Sequence, residues 1–356
     1  MKKIALNTLT IPAQKRAVSW DIENASNFAL HLVNSAKNSD RTIVVIVNDM
    51  RKAENLVEDC AFFGGKATIF PDTETLPYDP FSPQIDIISQ RLSVLYHLKE
   101  GEKSIVIVTI PTLMQRLAPR EFFDANVLLF RREQIIDREV FRSNLESAGY
   151  LAVSSVISPG EFSARGSVFD LFPMGEKAPI RIDFFDNEID TIRTFDPETG
   201  DTIETFQSLS LLPTREFDSS EQGLTRFKQK YQTSFTDDPA LLKKSYIYQE
   251  TIKGNLPSGI EGYLPLFFEN TATFFDYLPK ETTLLLYPDI AQEGLRFHDL
   301  IETRFERYRH DSEKPILTPA RLYLTTKGLE GLLDQYPQVT LNFKTQFQAA
   351  VTLSDL

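Results

Sequence analysis

Residues 42–47 read TIVVIV, and this stretch decides the fold. A run of apolar, mostly β-branched residues without alternation is typical of a strand buried on both faces, as in a parallel sheet. SIVIVTI (104–110) has the same character, and ATIF (67–70) is a shorter candidate. Segments with helical spacing of apolar residues separate these strands, so the sequence predicts an α/β fold on a parallel sheet. The helix candidates are SNFALHLVNSA (26–36), MRKAENLVEDCAFF (50–63), IDIISQRLSVLYHL (85–98) and PTLMQRLAP (111–119).

The pattern changes near residue 126. One helix candidate, DREVFRSNLESAGY (137–150), is followed by short strand candidates up to about residue 212. Turn-forming residues join these strands, and DPETGD (196–201) between two alternating runs predicts a hairpin. The strand candidates of this region are SVFDLF, IRIDFF, DTIRTF and DTIETF.

The order of these segments predicts an insertion. Residues 1–126 and 213–348 would form one α/β core, and a small mixed α/β domain at 127–212 would interrupt it. Residues 349–356 would begin a linker. The last third is predicted to be mainly helical, with strands at TTLLLYP (282–288) and RLYLTT (321–326).

Composition indicates a globular protein that works through protein partners. The chain has 356 residues, of which 42% are hydrophobic and 25% charged, and this length suggests two or three domains. The net charge of −12 argues against autonomous binding to duplex DNA, for which a basic face is usual. The single cysteine excludes a disulfide framework, and the four histidines show no metal-ligand spacing. The N-terminus is unlike a signal peptide and no 18-residue apolar stretch occurs, so we expect a cytoplasmic protein with no membrane contact.

The chain lacks the residues of a phosphate-binding loop. Such a loop needs glycines for close backbone approach, a lysine for the outer phosphates and a Ser or Thr for magnesium. The first glycine is Gly64, and the Gly65–Lys66 pair is followed by Ala67. The sequence therefore predicts a nucleotide-binding-like fold without nucleotide chemistry. An α/β fold that never had such a site is the alternative, and composition does not separate the two.

Other templates for catalysis are also absent from the sequence. No G-x-S-x-G, H-E-x-x-H or G-x-G-x-x-G motif occurs, so we predict no catalytic residue, no bound cofactor and no metal site. Asp183, Asp186, Glu188 and Asp190 form an acidic cluster that could hold a cation. A solvated hairpin turn is the favoured interpretation, because FDNEID resembles a polar hairpin tip.

The strand candidate IRIDFF (180–185) predicts an interface. Side chains alternate along a strand, so Ile180, Ile182 and Phe184 would face the core. Arg181, Asp183 and Phe185 would then share the outer face. An exposed phenylalanine beside an arginine is the composition of an interface hot spot. The alternative is that Phe185 folds under a neighbouring loop.

Four segments together resemble the N-terminal, UvrB-like module of the bacterial transcription-repair coupling factors (Mfd). The resemblance implies a degenerate RecA/helicase-like core interrupted by a small domain, a mimic of UvrB that lacks its functional Walker A motif and DNA-clamping hairpin. The stretch 246–268 resembles the one that follows the UvrB hairpin, without a long aromatic insertion before it. The four segments are TETLPYDPFSPQIDIISQRLSVLYHL, TLMQRLAP, GEFSARGSVFDLFPMG and IRIDFFDNEIDTIRTFDPETGDT.

The resemblance implies that the small domain docks UvrA and so brings this excision-repair protein to RNA polymerase stalled at DNA lesions. Arg165, Arg181 and Phe185 would form the centre of the docking patch, and Arg193 is a weaker candidate. An arginine fork can bind a partner carboxylate bidentately, which lysine does not reproduce.

The resemblance also implies a longer factor around this chain. RNA polymerase and DNA would bind to the remainder of that factor, an ATP-dependent DNA translocase whose motor domains would alone need ATP and magnesium. An intramolecular C-terminal autoinhibitory domain would cover the patch. This chain by itself would not be an enzyme.

Two competing functions belong to other classes. The first is a nucleic-acid-binding module on a retained UvrB-like surface, with Arg91 or Arg116 as DNA contacts and a strongly salt-dependent affinity. The second is a nucleotide hydrolase with a degenerate loop, which would bind ATP. In the proline-rich loop TETLPYDPFSP (73–83), we expect Leu76, Tyr78 and Phe81 to pack against the core.

Overall fold

The computed structural model describes residues 10–14, 17–196, 199 and 201–344. The first part of the chain forms β1 (Ala17–Ile22), α1 (Ala25–Lys37), β2 (Thr42–Val47), α2 (Met50–Phe62), β3 (Ala67–Phe70), α3 (Ile85–Lys99), β4 (Ile105–Thr109), α4 (Ile110–Leu113) and α5 (Arg120–Asn126). The middle part forms β5 (Leu128–Arg131), α6 (Arg138–Ser147), β6 (Leu151–Ala152), β7 (Glu161–Arg165), β8 (Val168–Leu171), β9 (Ile180–Phe185), β10 (Glu188–Phe195), β11 (Thr202–Thr205) and β12 (Ser208–Leu211). The last part forms α7 (Glu221–Ser234), α8 (Pro239–Lys244), α9 (Tyr246–Thr251), a 3₁₀ helix (Ile260–Leu266), α10 (Phe274–Tyr277), β13 (Thr282–Leu286), α11 (Ile290–Tyr308), α12 (Pro319–Leu322), α13 (Thr326–Leu333) and β14 (Gln338–Phe343).

Six parallel strands form the central sheet, in the order β1-β14-β13-β2-β4-β3. The predicted strand TIVVIV is β2, and each of its six residues is buried. Four of the strands precede the small domain in the sequence and two follow it, so the two ends of the chain build one sheet. The predicted α/β fold class, a parallel-sheet core with a separate mixed α/β unit, is confirmed.

Strands β1 and β14 were not predicted. In β14, buried Val339 and Leu341 alternate with exposed Thr340 and Asn342. One face of this strand is therefore open, and its sequence lacks the continuous apolar run that identified β2 and β4.

Two predicted elements of the core are wrong in detail. The stretch 321–326 is not a strand: α12 ends at Leu322, and Tyr323 makes an isolated bridge to Gln115. The helix predicted at 111–119 ends at Leu113, because the following residues pair with other segments instead. None of the helices in the described part of the chain combines the length and apolar character that a membrane crossing requires.

The small unit is built on a second six-stranded sheet, ordered β11-β10-β9-β8-β7-β6. Its strands are antiparallel except for the β6–β7 pair. The predicted hairpin of β10 and β11 is present; residues 197, 198 and 200 of its DPETGD turn lie outside the described residues, as does the predicted linker at 349–356. A two-stranded ladder of β5 and β12 joins the ends of this unit.

Apolar layers cover both faces of the parallel sheet. Helices α1 and α2 pack on one face, with Phe28, Leu32 and Leu56 fully buried. The opposite face packs against α3, α4 and the helices of the last part, and this layer continues without interruption into the small unit. The two units therefore share buried apolar surface.

The loop 73–83 is anchored differently from the prediction. Tyr78 packs against Phe305 and Tyr323 with ring centroids 5.8 and 6.5 Å apart, as expected. Leu76 and Phe81, in contrast, are exposed, so the expectation that they pack against the core is wrong. Polar contacts hold the loop instead: Arg304 donates to the Pro77 carbonyl oxygen and to the Asp79 carboxylate.

Candidate functional site

The second sheet has one covered face and one open face. Ile180, Ile182 and Phe184 of β9 are buried, whereas Arg181 and Asp183 are half-buried and Phe185 is exposed. The covered face packs against α6, whose Phe141 lies 5.3 Å from the ring of Phe184. The predicted alternation of β9 is therefore confirmed. We call the opposite side, which carries Arg181, the outer face.

Two hairpin turns lie together at one end of this sheet, which we call the tip. The β7–β8 turn contains Gly166 and Ser167, and the β9–β10 turn contains Asp186 and Asn187. The Phe184 amide donates to the Ser167 carbonyl oxygen over 2.8 Å, which joins the β7–β8 turn to the end of β9. Gly166 has a φ of 65°, a conformation that glycine adopts without steric cost.

Phe185 stands beside the β9–β10 turn, and 74% of it is exposed to solvent. Among the described residues no loop covers its side chain, so the alternative in which Phe185 folds under a neighbouring loop is wrong. An exposed aromatic ring on a hydrogen-bonded strand can be buried by a partner with little loss of backbone entropy.

Arg181 is already paired within the chain. Its Nε and Nη2 donate to the two carboxylate oxygens of Asp170 over 2.6 and 2.9 Å, and its guanidinium carbon lies 4.3 Å from the ring centroid of Phe195. The hydrogen bonds to Asp170 raise the pKa of Arg181. The bidentate geometry that the sequence assigned to a partner carboxylate is therefore occupied by Asp170.

Arg193 is paired in the same way on the neighbouring strand. Its Nε donates to Asp183 over 3.2 Å, its Nη1 donates to Thr202 over 2.9 Å, and Asp183 also accepts from Thr191 over 2.7 Å. Together Asp170, Arg181, Asp183 and Arg193 form a charge ladder across the outer face. Because each arginine has an aspartate, the ladder presents no excess positive charge.

Arg165 lies at the tip end of β7 and is exposed. The register β7–β8–β9 places Arg165, Val168 and Asp183 opposite one another, and opposite residues share a face. Arg165 Nη2 donates to the Ser154 carbonyl oxygen over 2.6 Å. Within the described residues it makes no ion pair, so it can bind a carboxylate without breaking one. The structure thus brings Arg165, Arg181, Phe185 and Arg193 onto one face.

The acidic cluster of the β9–β10 hairpin is dispersed. Asp183 belongs to the charge ladder, whereas Asp186, Glu188 and Asp190 are exposed. In the part of the chain that the structure describes, no group of three or more His, Cys, Asp or Glu side chains is placed to hold a metal ion. The interpretation as a solvated hairpin agrees with this arrangement.

Sequence reasoning missed Ile135, which is 79% exposed and lies beside the tip. It forms an isolated antiparallel bridge with Glu188. The sequence offers only weak evidence for an exposed isoleucine here. RREQIIDREV contains two adjacent isoleucines in a polar segment, and the sequence alone does not show which of them is exposed.

The nucleic-acid candidates Arg91 and Arg116 lie near the loop 73–83, far from this site in the sequence. Arg91 is 1% exposed, and its Nε donates to Glu216 over 2.8 Å. A buried side chain paired in this way cannot contact DNA, so that role for Arg91 is wrong. Arg116 is half-buried and lines a cavity of about 420 Å³ with the loop.

The place where a motor protein would carry its phosphate-binding loop is the connection of β1 to α1. Only Glu23 and Asn24 separate the two elements. Asn24 caps the helix, because its side chain accepts from the Asn27 amide over 2.9 Å. This two-residue connection contains no glycine and ends in a side-chain cap, unlike the longer glycine-rich loop whose consecutive amides surround a phosphate.

Comparison with known proteins gives one family and a consistent group of relatives. Residues 128–217 match the family described as the UvrB interaction domain. A transcription-repair-coupling factor of Haemophilus influenzae is 40% identical over 316 residues, covering 88% of this chain and 27% of that protein. The Escherichia coli protein of the same name is 36% identical over 338 residues, covering 94% of this chain and 29% of that protein. The chain thus spans less than a third of the length of these relatives, and the family match coincides with the unit that carries the outer face.

Proposed function

This chain is a UvrB-like module of the transcription-repair-coupling factors, and from that premise we propose that it recruits UvrA. Docking uses the outer face of the small unit at its tip. The observation that carries this proposal is Phe185, an aromatic side chain that is 74% exposed on the one open sheet face of the matched domain. Within the described residues, the packing of the fold does not require an aromatic ring at that position.

The arginines of the patch have different roles in this proposal. Arg165, whose hydrogen-bond partner is a backbone carbonyl, reaches out to a carboxylate of UvrA. Arg181 and Arg193 keep the outer face flat and ordered through their pairs with Asp170 and Asp183. A partner that bound the Arg181 fork would have to displace Asp170, and exchange of one carboxylate for another gains little.

The remaining activities belong to the longer factor and are part of the proposal. That factor would bind RNA polymerase and DNA through its other domains and would translocate on DNA with ATP and magnesium bound in its motor domains. An intramolecular C-terminal domain would cover the outer face until the motor engages a stalled polymerase. The present chain contributes the docking face alone.

We further propose that this module binds no nucleotide and catalyses no reaction of its own. The two-residue connection between β1 and α1 supports this, since it offers no phosphate cradle. Titration with ATP and magnesium, followed by calorimetry, should give no heat of binding. Saturable ATP binding would contradict the proposal and would favour the hydrolase alternative.

Binding of UvrA to the chain, measured by calorimetry with and without ATP, tests the docking proposal. We expect Phe185→Ala to weaken binding by about 1–3 kcal/mol, as for a hot-spot aromatic residue. Phe62→Ala is the matched control, because Phe62 is 83% exposed but lies at the end of α2 in the parallel-sheet core. Equal affinities for the two variants would contradict docking at the tip, and an absence of wild-type binding would refute the recruitment of UvrA.

A further inference from the structure

Residues 133–136 extend the second sheet at its tip. The Ile136 amide donates to the Asn187 carbonyl over 2.7 Å, and the Ile189 amide donates to the Gln134 carbonyl over 2.9 Å. The Glu133 amide also donates to the Ile189 carbonyl over 2.8 Å. This segment therefore pairs with the N-terminal part of β10, on the side that β11 occupies only from Arg193 onward.

The register places Ile135 on the outer face. Ile135 lies opposite Glu188, and Glu188 lies opposite Phe185. Residues opposite one another in an antiparallel ladder point to the same side, so the three side chains form one row. Neighbouring strands are about 4.8 Å apart, which puts Ile135 and Phe185 about 10 Å from each other across Glu188.

In the part of the chain that the structure describes, no packing contact accounts for an isoleucine at position 135. Its side chain is 79% exposed, whereas the next residue, Ile136, packs against the core. A polar residue at position 135 would keep the same backbone hydrogen bonds and would avoid exposed apolar surface. Two large exposed apolar side chains in one row, on a hydrogen-bonded sheet end, are of the type that a partner buries as anchors of an interface.

We propose that Ile135 is a second apolar anchor of the docking surface, beside Phe185. This inference rests on the proposed function and adds to it the chemistry of the facing UvrA surface. That surface presents two apolar contacts about 10 Å apart, with a basic group between them that pairs with Glu188. Glu188 is exposed, and in the described residues its carboxylate has no ion-pair partner.

Positive charge borders the row on its other side. Arg165 is exposed on β7, and Arg138 at the start of α6 donates from Nη1 to the Gly166 carbonyl over 3.3 Å. The row thus has one acidic group inside it and two cations at its border. A partner with a basic centre and an acidic rim fits this pattern, which fixes the orientation of docking.

Binding of UvrA to Ile135→Ala tests the inference, with Ile157→Ala as the control. Ile157 is 78% exposed, nearly the same as Ile135, but it lies at the opposite end of β7. We expect about a tenfold loss of affinity for Ile135→Ala and no change for Ile157→Ala. Glu188→Lys should weaken binding by at least as much, because it places like charges opposite each other.

A labelling experiment gives a readout that does not depend on affinity. Cys60 is the only cysteine of the chain and is fully buried, so Ile135→Cys and Ile157→Cys can each be labelled selectively with an environment-sensitive fluorophore. Addition of UvrA should shift the emission to the blue at position 135 and leave position 157 unchanged.

The outcomes separate the inference from the function on which it rests. If the wild-type chain binds UvrA and Phe185→Ala weakens binding, but position 135 behaves like position 157 in both experiments, the second anchor is refuted and the docking function stands. If the wild-type chain does not bind UvrA, both are refuted. Unchanged binding of Glu188→Lys would refute the basic group in the partner.

Discussion

The two six-stranded sheets of this chain differ in how many of their faces are buried. The parallel sheet is covered by helices on both faces over its central strands β13, β2 and β4, which are buried at every position. The second sheet is covered on one face, and its strand β9 alternates between buried and accessible residues. A doubly covered sheet can form a core but cannot present side chains to a partner. The open face of the second sheet is therefore where a binding function can reside.

Adjacent residues show the same contrast on the smallest scale. Phe184 packs against Phe141 and Phe169 with ring centroids 5.3 and 5.5 Å apart. Phe185, the next residue, contacts solvent over most of its surface. A phenylalanine thus contributes to stability at position 184, whereas the phenylalanine at position 185 is available for binding.

The largest expected effect is a difference in the free energy of unfolding between alanine variants of these two phenylalanines. We expect Phe184→Ala to lower the free energy of unfolding by about 3–5 kcal/mol, because it leaves a cavity in the covered face. Phe185→Ala should change it by less than about 0.5 kcal/mol, since the side chain packs against little. Urea denaturation of both variants measures the difference. Similar losses at the two positions would mean that Phe185 is a core residue and that the two faces do not differ.

The buried ion pair of Arg91 and Glu216 gives the next test. Arg91→Ala leaves Glu216 buried without its partner, so we expect a loss of about 3–5 kcal/mol in the free energy of unfolding. The double variant Arg91→Met, Glu216→Leu should be less destabilised, because it removes both charges. UvrA affinity, measured under conditions where the variants remain folded, should be unchanged. A stable Arg91→Ala variant with altered DNA binding would restore the nucleic-acid alternative.

A smaller effect is expected in the charge ladder. Arg181→Lys keeps the charge but loses the bidentate hydrogen bonds to Asp170. We expect it to reduce the free energy of unfolding by about 1 kcal/mol and to weaken UvrA binding less than Phe185→Ala does. If Arg181→Lys were the more damaging change for binding, the arginine fork would contact the partner directly, and the division of roles between ladder and tip would be wrong.

The smallest expected effect is a change in stability with pH that depends on Glu261. This residue lines the cavity beside the loop 73–83, and its carboxylate accepts a hydrogen bond from the Ser82 hydroxyl over 2.6 Å. Burial raises the pKa of Glu261 above its ordinary value. The folded state therefore favours the protonated carboxyl, and this contribution to stability is lost as the pH rises through the raised pKa. Glu261→Gln should thus gain stability relative to wild type between pH 4 and pH 7. Denaturation at the two pH values checks the sign, and a relative loss of stability at pH 7 would contradict it.

The sequence predicted the strands whose pattern of apolar residues is regular, either continuous or alternating. TIVVIV identifies β2 because both of its faces are apolar, and IRIDFF identifies the two faces of β9 because the alternation is strict. The same reasoning missed β14, where exposed Thr340 and Asn342 interrupt the apolar pattern. It also placed Leu76 and Phe81 in the core, because an apolar residue in a proline-rich loop gives no sign of the Arg304 contacts that hold the loop instead.

The residues of the candidate site were predicted, but the contacts between them were not, because those contacts depend on pairing between strands. The resemblance indicated docking by the small domain and named Arg165. Strand alternation selected Arg181 and Phe185 on the outer face, and Arg193 was a weaker candidate on the next strand. Arg181 and Asp170 are eleven residues apart in the chain, and their pairing depends on the register between β8 and β9, which no local pattern encodes. Ile135 was missed because its position on the outer face depends on a single bridge to Glu188.

Hydrogen exchange of the chain with and without UvrA tests most directly whether docking occurs on the open face. We predict that UvrA slows exchange of amides at the tip, in residues 133–136 and in the β7–β8 and β9–β10 turns, while amides of the parallel sheet exchange as in the free chain. Protection confined to the parallel-sheet core, with the tip unchanged, would contradict the account.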